Sequence, residues 1–243
     1  TAGPPPRVAA VVIDSFKARG VTSTVQDQSA VTGQDFNLDA LMALKALNDV
    51  ARIDRAHIGI MGFSKGGTSA LMASHEQLIA AAGLPAFLRY ALHVPFYPSC
   101  SVQYYKPRTT GAPVYMLLGG ADTYVGAEPC QAYAETMRAA GGRVDVKVYP
   151  DAPHGFDGGR PYFVATGENY SQCVLQQQAN RSWVERKSGV VTIGTDGAPI
   201  PGALALALSA CRTLGVSGGP SDAAARQSMD DLKGFVRRHL LGG

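Results

Sequence analysis

The chain has 243 residues, which is enough for one α/β domain with a sizeable hydrophobic core. Its formal net charge is only +3, and its Lys and Arg residues do not cluster, so nucleic acid is not expected as a partner. The longest apolar candidate, residues 203–210, is too short to span a membrane. We therefore predict a single α/β domain over residues 1–243, without a membrane span.

Apolar segments with the periods of strands and helices alternate along the chain. Residues 8–13 form a continuous β-branched run that ends at Asp14, which is typical of a buried parallel strand. Residues 35–50 carry the apolar stripe of an amphipathic helix, and residues 57–61 form a second strand. Strand, helix and strand make a βαβ unit, so the sheet is expected to be parallel. Further strands are predicted at 90–94, 114–118 and 144–149, and helices at 68–73, at 129–140 and after Ser221.

Residues 157–220 are long for a plain connection between a strand and the last helix. They mix polar, Gly-rich and aromatic sequence. We expect them to form an ordered insertion or a lid within the domain.

The pattern Gly62-x-Ser64-x-Gly66 stands between the strand at 57–61 and the next helix. A serine on such a sharp strand-to-helix turn has a strained backbone that exposes its hydroxyl, and both flanking glycines are expected to avoid collisions. The serine also lies at a helix N-terminus, which favours developing negative charge. We predict that Ser64 is a nucleophile and that the backbone N–H of Lys65 is an oxyanion donor, with the Lys65 side chain in solvent.

Two further polar residues follow predicted strands. Asp122 comes after the strand at 114–118, and His154 after the strand at 144–149. Because the carboxyl ends of parallel strands lie at one edge of a sheet, Ser64, Asp122 and His154 are expected to converge. In this set His154 would take the proton of the Ser64 hydroxyl, and Asp122 would orient the imidazole. The order Ser, Asp, His along the chain is the one expected of α/β-hydrolases.

The four cysteines lack the C-x-x-C spacing of zinc or thioredoxin-type sites. They are either buried free thiols of a cytoplasmic enzyme or two disulfides of a periplasmic or secreted one. We favour the disulfides, paired within each neighbourhood as Cys100–Cys130 and Cys173–Cys211, because the number is even and the contexts are loop-like or helix starts. No metal or cofactor is expected.

Several stretches together resemble the dienelactone hydrolase family of α/β-hydrolases. They are residues 14–20, 62–67, 119–122 and 148–156. The resemblance implies an α/β-hydrolase fold, with a mostly parallel sheet flanked by helices, and it places nucleophile, acid and base on Ser64, Asp122 and His154. A family arginine that contacts a substrate carboxylate matches Arg19, for which a loop-fixing ion pair is the alternative. Phe63 is also predicted to contact substrate.

This sequence departs from the family in its nucleophile, since the enzyme that names the family has cysteine where Ser64 stands. That difference favours a more general ester hydrolase. The cysteines and the insertion resemble an exported branch of the family. The first strands of the family pattern and its His-Gly-x-Gly oxyanion loop are not found here. We expect an N-terminal segment of the same precursor to complete the sheet and to supply the second oxyanion N–H.

The sequence therefore predicts a serine hydrolase that cleaves a small carboxylic ester or lactone through an acyl-enzyme. A peptidase of the prolyl-oligopeptidase kind shares the fold and the triad order and is the nearest alternative. A catalytically inactive binding protein on the same fold is the alternative of another class. Hydrogen-bond reach between Asp122 and His154 distinguishes an enzyme from such a binding protein.

Overall fold

The computed structural model describes residues 8–242. Its strands are β1 (Gly59–Phe63), β2 (Leu92–Phe96), β3 (Val102–Gln103), β4 (Val114–Gly119), β5 (Val144–Tyr149), β6 (Tyr162–Asn169), β7 (Leu175–Gln177), β8 (Trp183–Glu185), β9 (Val191–Ile193) and β10 (Thr213–Gly218). Its α-helices are α1 (Gly33–Asn48), α2 (Lys65–Met72), α3 (Glu76–Ala81), α4 (Glu128–Ala139), α5 (Ala203–Cys211) and α6 (Asp222–Leu240). Short 3-10 turns occupy Lys17–Arg19 and Arg55–His57.

The central sheet is four-stranded, in the order β1-β2-β4-β5, and every neighbouring pair is parallel. This confirms the α/β fold with a parallel sheet that the βαβ pattern predicts. The predicted strands and helices of this region are present, with ends shifted by a few residues. The β5 strand has the predicted bounds, whereas β2 begins two residues later than predicted, at Leu92.

Helices cover both faces of the sheet, which explains why the inner strands β2 and β4 are buried on both sides. On one face α1 and α2 pack over β1, through residues such as Leu41 and Ile60, and α4 packs over β4. On the other face α6 packs through Leu232 and Phe235. Helix α1 begins with a capping box, in which Thr32 and Asp35 each accept a hydrogen bond from the other's backbone N–H.

The predicted strand at residues 8–13 is wrong. The segment does not form a strand, and it is exposed, with 91% of Val12 accessible to solvent. A strand is defined by its main-chain hydrogen bonds to a neighbour, and none of the other described residues pairs with this run. The apolar pattern of the run suits a buried strand, but such a pattern does not reveal whether a neighbour is present.

Residues 157–220 form ordered structure of their own. The β6 and β10 strands make an antiparallel pair, and β7, β8 and β9 join β3 in a second small sheet. The insertion is therefore tied to the main domain through β3, and its role as a lid stays a prediction. None of the helices in the described part of the chain has both the length and the apolar character needed to cross a membrane.

Candidate active site

Ser64 occupies the sharp turn between β1 and α2. Its backbone has φ 52° and ψ −117°, a left-handed conformation that costs a residue with a side chain about 1–3 kcal/mol. The Ser64 N–H donates to the carbonyl of Phe96 at 3.1 Å, which anchors the turn to β2. The hydrogen bond to β2 thus holds the strained turn in place. The turn directs the Ser64 hydroxyl above the carboxyl end of the sheet.

The glycines of this turn at which a Cβ would collide are Gly62 and Gly67, not Gly66. A Cβ on Gly62 would lie 2.2 Å from the backbone oxygen of Gly66, and a Cβ on Gly67 would lie 2.4 Å from that of Phe96. A Cβ on Gly66 would have no neighbour within 4 Å. The expectation that both glycines of the motif are sterically required is therefore wrong at Gly66, which lies on the open side of α2. Gly67 lets α2 approach β2.

The predicted triad residues meet at the carboxyl ends of β1, β4 and β5. His154 Nε2 lies 2.8 Å from the Ser64 hydroxyl oxygen, and His154 Nδ1 lies 2.7 Å from Asp122 Oδ2. The side chains of Asp122 and His154 are 1% and 4% exposed. The loops that carry them are joined by the Ala121 N–H, which donates to the carbonyl of Ala152 at 3.0 Å. We call Ser64, Asp122 and His154 the candidate triad.

The second carboxylate oxygen of Asp122 is held by the backbone. Asp122 Oδ1 accepts N–H hydrogen bonds from Tyr124 at 2.8 Å and from Val125 at 3.0 Å. Because Oδ1 is occupied by these two donors, Oδ2 faces His154. A carboxylate with both oxygens engaged has a fixed orientation and can keep the proton on Nδ1, which leaves Nε2 free to accept one.

Two tyrosine rings, which the sequence alone did not indicate, flank His154. The ring centroids of Tyr97 and Tyr124 each lie 4.8 Å from that of His154. Tyr97 directly follows β2 and has a positive φ of 33°, while its hydroxyl donates to the carboxylate of Asp157. Burial raises the pKa of Tyr124 to about 12, so both rings stay neutral near pH 7. Their positions just after strand ends are the signal that could have found them.

The Lys65 side chain does not lie in solvent as predicted. The Lys65 N–H opens α2, where a helix has N–H groups without an intrahelical partner, so it remains the candidate oxyanion donor. The ammonium group, however, is half-buried instead of solvated. It donates to the carbonyls of Val31 at 2.7 Å and Gln28 at 3.2 Å and lies 5.6 Å from the centre of the Phe36 ring. Burial lowers its pKa to about 8.

Arg19 forms the loop-fixing ion pair that was the alternative to substrate contact. Its guanidinium donates to both carboxylate oxygens of Asp39, at 2.7 and 3.0 Å, and to the carbonyl of Ser15 at 2.8 Å. The pKa of Asp39 is lowered by this hydrogen-bonded arginine. Phe63 is 42% exposed, with its ring centroid 6.2 Å from that of Tyr97. Substrate contact by Phe63 or Arg19 stays a prediction.

Both predicted disulfides are present. Cys100–Cys130 joins the segment after β2 to α4, and Cys173–Cys211 joins the loop before β7 to the end of α5. The sequence interpretation that pairs cysteines within each neighbourhood is therefore confirmed. Within residues 8–242, no group of three or more His, Cys, Asp or Glu side chains is arranged to hold a metal ion.

Residues 14–186 match the model of the dienelactone hydrolase family. The chain belongs to this family. The resemblance noted from the sequence is thereby confirmed, and so is the α/β-hydrolase type of fold.

Solved structures similar to this family member include esterases and a peptidase. One is a thermophilic esterase, Est2, from the Planctomycetes species Thermogutta terrifontis, with 22% identity, a TM-score of 0.42 and coverage of 52% of this chain and 56% of that one. Another is dipeptidyl peptidase 4 from Porphyromonas gingivalis, with 19% identity, a TM-score of 0.41 and coverage of 52% and 20%. The chain thus spans little more than half the length of the esterase. No curated protein matches it.

Proposed function

We propose that this protein is a serine hydrolase that cleaves a carboxylic ester or lactone through a covalent acyl-enzyme. The observation that carries the proposal is the unbroken contact of Ser64, His154 and Asp122, with 2.8 Å and 2.7 Å between the paired atoms. A nucleophile, a base and an orienting carboxylate within hydrogen-bond reach are what acyl transfer requires. A binding protein has no need of the strained Ser64 turn.

In the first half of the reaction, Ser64 Oγ bonds to the substrate carbonyl carbon while its proton moves to His154 Nε2. The carbonyl oxygen becomes an oxyanion next to the Lys65 N–H, at the positive end of the α2 dipole. Collapse of the tetrahedral intermediate breaks the ester C–O bond, and His154 returns the proton to the leaving alkoxide. Asp122 stabilises the imidazolium through its hydrogen bond to Nδ1.

In the second half, a water molecule repeats the attack on the acyl-enzyme. His154 Nε2 takes a proton from the water, and the new tetrahedral intermediate collapses with loss of Ser64 Oγ, which is reprotonated by His154. The product is a carboxylic acid, and the enzyme returns to its starting state. No step requires a redox change.

The open edge of β1 supports a proposal about the second oxyanion donor. Among the described residues β1 pairs with β2 alone, and its Met61 and Phe63 are 44% and 42% exposed. We propose that an N-terminal segment of the same precursor pairs along this edge and brings the second N–H to the oxyanion. Faster labelling of Ser64 by a fluorophosphonate in the longer precursor than in this chain would support the proposal, and equal rates would contradict it.

Two disulfides support export of the protein to an oxidising compartment, since such bonds persist in the periplasm and outside cells. The test is to isolate the protein from its source under rapid alkylation and to count modified cysteines by mass. We expect none of the four to be alkylated. Alkylation of all four would indicate a reducing compartment and would overturn the proposal.

The central test of the proposed function is intact-protein mass spectrometry after exposure to a fluorophosphonate. We expect one adduct on Ser64 in the wild-type protein and none in Ser64→Ala or His154→Ala. A parallel assay compares hydrolysis of p-nitrophenyl acetate with that of a dipeptidyl p-nitroanilide. Preference for the anilide would favour a peptidase over an esterase. Absence of an adduct and of both activities in the complete precursor would favour a binding protein.

A further inference from the structure

The loop before α1 closes a ring of contacts around the candidate triad. The Lys65 ammonium donates to the Gln28 carbonyl at 3.2 Å, and the Gln28 side-chain Nε2 donates to the phenolic oxygen of Tyr124 at 3.1 Å. The Tyr124 ring lies 4.8 Å from His154, and the Tyr124 N–H donates to Asp122. Because Lys65 directly follows Ser64, the path returns to the nucleophile. The turn that carries Ser64 and the loop that carries Asp122 are thus linked by a second route, away from the reacting atoms.

The loop at residues 24–31 is well anchored for a segment with little regular structure. The second carbonyl bound by Lys65 belongs to Val31, whose side chain is fully buried. The Gln28 N–H donates to Glu168 Oε2 at 2.9 Å, and Glu168 itself is paired with Arg212 at 2.7 Å. The Gln28 backbone is therefore held through both its N–H and its carbonyl. This fixes the position from which the side-chain Nε2 donates to Tyr124.

The charges around Lys65 are consistent with a structural role in holding the loop at residues 24–31. Asp27, Asp35 and Glu168 are the acidic groups that face the ammonium, and the Phe36 ring covers it. None of these carboxylates is within salt-bridge distance of Nζ in the described residues. The ammonium therefore gives its short hydrogen bonds to loop carbonyls. This arrangement fixes the loop backbone, since two of the three ammonium donors are committed to its carbonyls.

We propose that Gln28 and Lys65 are positioning residues that hold the Tyr124 ring against His154 and so keep the imidazole between Asp122 and Ser64. This inference rests on the proposed function for its kinetic consequence. Within the described residues, Gln28 is the hydrogen-bond partner of the Tyr124 phenol, so its loss frees the ring on one side of the imidazole. Small displacements of a base from its nucleophile lower the rate of proton transfer more than they lower substrate binding.

The kinetic test compares Gln28→Ala with Gln26→Ala. Gln26 lies on the same loop and makes a bond of the same kind, from Nε2 to the Thr166 hydroxyl at 2.9 Å, but it does not reach Tyr124. We expect Gln28→Ala and Lys65→Met to lower kcat for p-nitrophenyl acetate about tenfold with KM within about twofold. Gln26→Ala is expected to keep the wild-type kcat. Equal effects of the two glutamine substitutions, or losses confined to KM, would overturn the proposal.

A double-mutant cycle with Tyr124→Phe isolates the bond itself. We expect Tyr124→Phe to lower kcat as Gln28→Ala does, and the double variant to be no slower than either, because both remove one interaction. Multiplied losses in the double variant would show two independent roles and would contradict the inference. Thermal unfolding of each variant identifies any general loss of structure.

A readout without activity separates this inference from the proposed function. The NMR signal of the His154 Hε1 proton senses the ring current of Tyr124. We expect that signal to shift in Gln28→Ala and to stay in Gln26→Ala, whether or not the protein hydrolyses esters. An unmoved signal in Gln28→Ala would overturn the positioning role even if Ser64 is labelled by the fluorophosphonate. A shifted signal in a protein that is never labelled would reject the proposed function alone.

Discussion

Asp122 contacts His154 with one carboxylate oxygen because its other oxygen is already committed to the backbone. The Oδ2 to Nδ1 distance is 2.7 Å, while Oδ1 accepts the N–H groups of Tyr124 and Val125. This relationship fixes the direction of the carboxylate before any substrate binds, and it makes the consequence of an amide substitution predictable.

Asp122→Asn is expected to lower kcat by about 10³–10⁴-fold. The new NH₂ group cannot face the two backbone donors, so it faces His154 Nδ1 and forces the proton onto Nε2, where the base is needed. Asp151→Asn is the matched control, since Asp151 is exposed in the turn before His154. The measurement is kcat for an ester substrate. A loss of kcat in Asp151→Asn as large as that in Asp122→Asn would contradict the role of Asp122 in the candidate triad.

Alanine at Gly66 and at Gly67 should have opposite effects on stability. Gly67→Ala places a Cβ 2.4 Å from the Phe96 carbonyl oxygen, so we expect it to lower the free energy of unfolding by about 1–3 kcal/mol. Gly66→Ala meets no atom within 4 Å and gains helix propensity, so we expect an increase of about 0.5–1 kcal/mol. Urea denaturation of both variants is the measurement. Destabilisation by Gly66→Ala as large as by Gly67→Ala would show that the motif glycine is required after all.

Each disulfide should contribute substantially to stability. The bonds close loops with sequence separations of 30 and 38 residues, for which loop entropy in the unfolded chain predicts about 4 kcal/mol each. We expect the pair of substitutions Cys173→Ala and Cys211→Ala to lower the free energy of unfolding by about 2–4 kcal/mol, and a reductant to destabilise the wild-type protein further. The same unfolding midpoint in oxidised and reduced protein would contradict this expectation.

The half-buried Lys65 should make stability rise with pH in the alkaline range. Burial lowers its folded-state pKa to about 8 from an ordinary value of 10.5. Between these two values the unfolded chain holds the proton and the folded chain does not, so the free energy of unfolding increases with pH. Below the folded-state pKa both states are protonated, and the full cost of burying the charge remains.

The measurement is the difference in unfolding free energy between the wild-type protein and Lys65→Met from pH 7.5 to 9.5. Subtraction removes the contributions of the tyrosines, whose raised pKa values lower stability at higher pH. We expect the difference to shift in favour of the wild-type protein as pH rises above about 8. A flat difference would show that the Lys65 ammonium keeps an ordinary pKa.

Much of the fold and of the candidate triad was predictable because local sequence controls it. Period and β-branching indicate strands such as β5, and parallel strands bring their carboxyl ends to one edge, so residues that follow them meet without any knowledge of packing. The contacts among Ser64, Asp122 and His154 are therefore a property of order along the chain. The disulfide pairing also followed from nearness in sequence.

Other features depend on what a residue meets in space, which no local pattern records. Residues 8–13 have the composition of a strand, but a strand also needs a neighbouring backbone. Gly66 belongs to the motif, yet the close approach of α2 to β2 falls at Gly67, because side-chain direction around the helix decides which position faces the sheet.

The surroundings of the candidate triad likewise depend on contacts that only the folded chain makes. Lysine on a turn is usually solvated, but the loop at residues 24–31 folds over Lys65 and gives its ammonium two carbonyls. That same loop brings Gln28 to Tyr124, a residue 96 positions away. Local sequence thus indicates which residues form the candidate triad, because their places at strand ends are local. What holds them in position depends on the folded chain, because those contacts join segments that lie far apart in the sequence.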